Sequence, residues 1–190
     1  MTATLDLWPI GNCQVSALVD RNGRFVWGCV PRVDGEPTFS SLLDPAERSA
    51  PGARGFWEID LEGCIETTQH YLRNTPVLVT RHSDADGNAI EVTDFCPRFH
   101  RSGRMFRPVA FVRIVRPVAG SPRIRVRLRP SRKWGEMDPH KTRGTNHIRY
   151  LLDDMTLRLT TTAPIGWIDE ERLFRGERPL HFFLGPDGSF

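Results

Sequence analysis

The chain has 190 residues, 39% of them hydrophobic and 26% charged, with a net charge of +3. That length is enough for one substantial core, most simply a single domain over 1–190. The charge is too small to argue for a nucleic-acid partner, no apolar run reaches membrane-spanning length, and the first residues lack a basic region followed by an apolar stretch, so no membrane is expected and a cytoplasmic location is.

The sharpest local signal comes early. Asn22-Gly23 sits between two apolar runs and tolerates the positive φ of a tight turn, which predicts a β-hairpin. A two-residue loop sets Val19 opposite Val26, Leu18 opposite Trp27 and Ser16 opposite Cys29. One face then carries Val15, Ala17, Val19, Val26 and Val30, and the other Leu18, Phe25 and Trp27. A three-residue turn shifts this register by one. Both faces are apolar, as in a strand pair buried between two layers.

Ser41 to Arg48 is read as a helical turn or two. Strands are predicted over Phe56–Leu61, Ile65–Leu72, Val77–His82, Ile90–Phe95, Val109–Val118, Ile124–Leu128, His147–Leu152, Met155–Thr161 and Leu180–Leu184. Asp84 to Asn88 marks a second hairpin, and Asp153-Asp154 a further turn. With fifteen prolines, sixteen glycines and no long window of helical apolar spacing, the pattern predicts an all-β, antiparallel β-sandwich with very little helix. The chain stops at Phe190, just after the turn residues Gly185 to Gly188, which suggests a domain taken from something longer.

Little in the residues spells chemistry. Cys13, Cys29, Cys64 and Cys96 form no C-x-x-C pair and are expected to be reduced and mostly buried. Six histidines show no metal-ligand spacing, and no nucleophile elbow or phosphate loop is present, so no metal and no cofactor is expected. Asp84-Ala85-Asp86-Gly87 resembles the start of a calcium loop but lacks the downstream Glu, and is read as a turn.

The most unusual run is Pro122 to Pro130, where strand period puts Arg123, Arg125, Arg127 and Arg129 on one face and Ile124, Val126 and Leu128 on the other. Two readings are open: a row meeting nucleic-acid phosphates, or an outer face whose arginines are solvated or paired with carboxylates on neighbouring strands or a partner domain. Of the five tryptophans, Trp134 stands out, because it lies in the polar stretch Ser131 to Glu136 where strand packing does not call for it.

Several segments together resemble the opening of bacterial glycoside hydrolase family 15 proteins, the glucoamylase-like and trehalase-like enzymes. They are Ile10-Gly11-Asn12, Ser16 to Gly23, Trp27 to Asp34, Phe39 to Asp44, Tyr71-Leu72 to Val77-Leu78, Val92 to Pro97, and Arg127 to Pro130 with Trp134-Gly135. The chain departs from that pattern at Val33-Asp34-Gly35 and at Ser131-Arg132-Lys133. The resemblance implies the family's N-terminal domain, a β-sandwich of the super-sandwich kind. It implies that the (α/α)6 catalytic barrel follows residue 190, carries both glutamates of the inverting mechanism, and is this domain's partner in the same polypeptide. No catalytic residue is therefore expected in this chain, which alone should be inactive.

The loops Pro31 to Thr38 and Ser131 to Glu136 combine charge, aromatic and turn residues at strand ends, where sites tend to lie. Trp27, Arg32, Asp34, Arg132, Trp134 and Glu136 are the candidate interface or substrate-rim residues, facing the barrel and an α-glucoside at the domain boundary. The alternatives are an autonomous carbohydrate-binding module stacking sugars on Trp134 or Trp27, and a basic nucleic-acid binder acting through the arginine strand.

Overall fold

A computed structural model describes residues 5–43, 50 and 52–188. In chain order the strands are β1 (Leu7–Gly11), β2 (Ser16–Asp20), β3 (Phe25–Cys29), β4 (Pro37–Phe39), β5 (Phe56–Leu61), β6 (Cys64–Tyr71), β7 (Leu78–Asp84), β8 (Ala89–Phe95), β9 (Phe99–Arg101) and β10 (Arg104–Phe106). There follow β11 (Phe111–Ala119), β12 (Arg123–Arg129), β13 (His140–Arg143), β14 (His147–Leu151), β15 (Thr156–Thr161), a short helix α1 (Ile165–Asp169), β16 (Phe174–Arg175) and β17 (Leu180–Pro186).

Two antiparallel sheets pack as a sandwich. One runs β1-β2-β3-β5-β12-β16 with β4 beside β3, and the other β13-β14-β15-β17-β11-β8-β7-β6. Alternation explains the layers. On β12, Ile124, Val126 and Leu128 turn inward and are buried, while the intervening arginines turn outward. On β15, Leu157 and Leu159 do the same from the opposite sheet. Phe25, Phe39, Trp57, Phe111, Phe182 and Leu184 close the core between them.

The first hairpin forms, but with a different register. Leu18 lies opposite Trp27 as expected, whereas Val19 lies opposite Phe25 rather than Val26, because a bulge separates the two pairs. The cause is Asp20. Its carboxylate accepts the N–H groups of Asn22 and Arg24, both at 2.9 Å, which holds a longer loop than two residues. Phe25 is thereby moved to the face of Ala17 and Val19, where its ring meets those of Phe39, Trp57 and Phe111.

The Asp84 turn is a turn and nothing more: Asp84 accepts Asp86 N–H at 2.9 Å, Asn88 N–H at 2.8 Å and the Asn88 side-chain amide at 2.7 Å. No group of three metal-ligating side chains occurs among the described residues. The expected helical turn at Ser41 to Arg48 falls largely outside the described residues; Ser41 to Leu43 form a turn. The one α-helix among the described residues starts instead after Pro164, which lacks the N–H that a helix start does not need. All described cysteines are free, and Cys29 and Cys96 are buried. Cys13 is exposed, so burial does not extend to it.

The arginine row is resolved by its neighbours. Arg123 pairs with Glu62 at 2.7 Å, Arg127 with Glu58, and Arg129 with both carboxylate oxygens of Glu171 at 2.7 Å. Neighbouring elements thus supply carboxylates to Arg123, Arg127 and Arg129, three of the four arginines of the row.

His82, on β7, is 4% exposed, and burial followed by the nearby Arg113 cation pushes its pKa down to about 4. An unfolded histidine takes up its proton near pH 6.5 while the folded one refuses it until about pH 4. Stability from this residue is therefore present above the unfolded value and lost as pH falls between the two, by about 3 kcal/mol. Urea denaturation of the native protein at steps from pH 7 to pH 4 should show this loss, and His82→Gln should flatten it. Identical slopes for the two proteins would refute the assignment.

Candidate functional site

Strand directions gather several loops at one end of the sandwich. Ala17 opposite Gly28, and Cys29 opposite Pro37, bring the β1–β2 turn and the loop of residues 30–36 together. Arg129 opposite Phe56 sends residues 130–138 out at the same end. The β14–β15 turn, with Asp153 and Asp154, arrives there too, since Arg132 pairs with Asp153.

The two loops singled out in the sequence do meet. Ser131 N–H donates to the Thr38 carbonyl at 2.9 Å, and the hydroxyls of Ser40 and Ser131 lie 2.9 Å apart. The Trp134 N–H donates to Glu36 Oε1 at 3.0 Å. Arg32 grips Asp34 through two hydrogen bonds of 2.9 and 2.8 Å, and this holds the Asp34 carboxyl below its usual range.

The loop after β12 closes through a bridge between Arg132 and Met137. Between them Lys133, Trp134 and Gly135 have φ of 49°, 58° and 102°, a run of left-handed backbone. Glycine suits the last of these, where a Cβ would lie 2.9 Å from Ser40 Oγ. Lys133 and Trp134 have no such freedom, and a left-handed conformation at a non-glycine residue costs about 1–2 kcal/mol. What this backbone achieves is presentation: the Trp134 side chain stands 61% exposed.

The loop separates two cavities. On one side Pro31, Arg32, Glu36, Arg132, Asp153 and Met155 line a space of about 150 Å³. On the other, Arg24, Ser40, Arg54, Phe56, Trp134 and Glu136 border about 440 Å³. Glu136 contributes its carbonyl, which accepts from Arg54. Trp27 is different. It is half-buried in mid-strand opposite Leu18 and lines neither cavity, so the structure does not bring it to this cluster.

Glu36, Arg54 and Asp153 join the cluster although they were not among the candidate residues. Glu36 was legible as a charged member of the loop already favoured; Arg54 and Asp153 arrive only through tertiary pairing. Chemically the cluster sets two carboxylates paired with arginines, Asp34 with Arg32 and Asp153 with Arg132, around one exposed indole.

The family described as "Trehalase-like, N-terminal" matches residues 6–163. The chain belongs to that family. A trehalase from Thermoplasma volcanium is 25% identical over 156 residues, which cover 82% of this chain and 24% of that protein. The chain thus spans about a quarter of the length of the curated relative it matches. No solved structure matches the chain. The family match covers the loops Pro31 to Thr38 and Ser131 to Glu136, so the cluster at this end lies within the trehalase-like N-terminal region. No helix among the described residues is long and apolar enough to cross a membrane.

Proposed function

We propose that this chain is the non-catalytic N-terminal β-sandwich of a cytoplasmic glycoside hydrolase of the family 15 type. In this reading the parent hydrolyses α-glucosidic bonds with inversion, as a trehalase or glucoamylase does, using an acid–base pair carried by an (α/α)6 barrel elsewhere in the polypeptide. The sandwich supports that barrel, and the end bearing Arg32, Asp34, Arg132, Trp134 and Glu136 packs near its substrate pocket. The observation that carries the reading is the family match over 6–163 in a chain that spans a quarter of its trehalase relative. The left-handed presentation of Trp134 supports the rim role, because a strained, exposed aromatic is held where a partner or a sugar would cover it.

The purified 190-residue chain should hydrolyse neither trehalose nor maltooligosaccharides, and turnover comparable to that of the parent would overturn the reading. In the parent, Trp134→Ala should lower kcat/KM about ten-fold, or about 1.4 kcal/mol, while the isolated chain keeps its melting temperature. Unchanged kcat/KM would remove Trp134 from the rim. Its exposure also favours a second reading, an autonomous carbohydrate-binding module. Saturable heat on titrating the isolated chain with oligosaccharides, abolished by the same substitution, would select that one.

A further inference from the structure

The ribbon formed by β9 and β10 stands apart from both sheets. All ten residues from Arg98 to Arg107 are exposed. They include Arg98, His100, Arg101, Arg104 and Arg107, and the sequence holds no Asp or Glu between Asp94 and Glu136. Among the described residues no carboxylate pairs with any of these four arginines. Arg101 lies directly opposite Arg104 across the ribbon, an arrangement of like charges that weakens a hairpin on its own. Phe99 and Phe106 stack at 5.9 Å with 12° between their planes, yet remain 46% and 41% exposed, and Met105 beside them is 39% exposed.

The base of the ribbon is rigid. The Asn12 side-chain amide donates to the carbonyls of Pro97 and Pro108, both at 2.8 Å, and clamps the two legs together. Asn12 follows β1, so the ribbon projects from the same end as the Pro31 and Trp134 loops.

We infer that this ribbon is a docking prong for a carboxylate-rich surface on the rest of the parent polypeptide, with its arginines meeting acidic side chains and its stacked phenylalanines covered at the centre. The inference rests on the reading proposed above, since it takes the partner surface from the three quarters of a trehalase-like protein that lie outside the matched stretch. Charge selects the partner. A second copy would bring arginines against arginines. A nucleic-acid strand would need a basic track beyond the ribbon, and Arg123, Arg127 and Arg129 are already held by carboxylates.

Oxidative footprinting of Phe99, Met105 and Phe106 tests this in the 190-residue chain and in the full polypeptide. Labelling should fall about five-fold or more in the full polypeptide, as a buried interface excludes water. The double variant Arg101→Glu, Arg104→Glu should restore labelling there, while the thermal melt of the 190-residue chain stays unchanged. Equal labelling in both native proteins overturns the inference, as does protection that survives the charge reversal. Salt-sensitive protection of the 190-residue chain by a single-stranded oligonucleotide would also overturn it, in favour of nucleic acid. Footprinting needs no substrate, so a parent that lacks glycosidase activity would sink the functional reading while leaving this result interpretable.

Discussion

Asp94→Asn should lower the stability of the chain by about 3–5 kcal/mol, because it leaves a buried guanidinium without its counter-charge. Both side chains of the Asp94–Arg113 pair are fully buried. Arg113 Nε and one terminal nitrogen reach the two Asp94 oxygens at 2.8 and 3.0 Å. Two further donors go to the backbone carbonyls of Trp57 and Gly23, and the guanidinium lies over the rings of Phe25 and Trp57. One side chain thus ties β8 and β11 of one sheet to β5 and the first hairpin of the other. Set against a total stability of about 5–15 kcal/mol, the loss is a large fraction. A fall of roughly 10–15 °C in melting temperature is expected for a chain of this size. Removing both charges with Asp94→Leu and Arg113→Met should recover part of that loss but not all, since the carbonyls of Trp57 and Gly23 lose their donor. A melt of Asp94→Asn within a degree or two of the native protein would show that the pair is not an anchor.

Asn12→Ala should cost about 2–4 kcal/mol and also free the ribbon. The Asn12 oxygen accepts the N–H groups of Gln14 and Val15 at 2.9 and 3.1 Å, while its amide serves Pro97 and Pro108. Every hydrogen-bonding position of the side chain is used, so truncation leaves partners unsatisfied on three segments. Trypsin should then cut after Arg98, Arg101 or Arg104 many times faster than in the native chain, which mass spectrometry reads directly. Native-like cleavage in a variant that has lost stability would assign Asn12 to the β1–β2 turn alone.

These two side chains recast the family-like segments of the sequence. Asn12 and Asp94 both lie within stretches that resemble the glycosidase family, and so does Asp20. In the structure each is a polar residue that orders backbone or anchors a buried charge.

The strand pattern was legible wherever alternation was strong. Phe56–Leu61 matches β5 residue for residue, and the other predicted strands agree with β6, β7, β8, β11, β12, β14, β15 and β17 to within two residues at each end. Most of the strands missed are short or polar, and β1 (Leu7–Gly11) is interrupted by Pro9. β13 reads His-Lys-Thr-Arg and β9 Phe-His-Arg, and with no buried face they leave no period-two signature. The hairpin register was missed for a different reason: the Asp20 side chain competes with a tight turn, and local apolar pattern carries no record of that competition.

By itself, then, the sequence determined the all-β class, the approximate span of each long strand and the inward face of β12, because alternation and turn chemistry are local properties of the chain. Only the tertiary structure decided which carboxylate meets which arginine. It paired Arg132 with Asp153, Arg129 with Glu171 and Arg113 with Asp94, and among the described residues it brought no carboxylate to the arginines of the ribbon. Those pairings join residues far apart in the chain through the order of strands across two sheets, and charge carries no periodicity from which that order can be read.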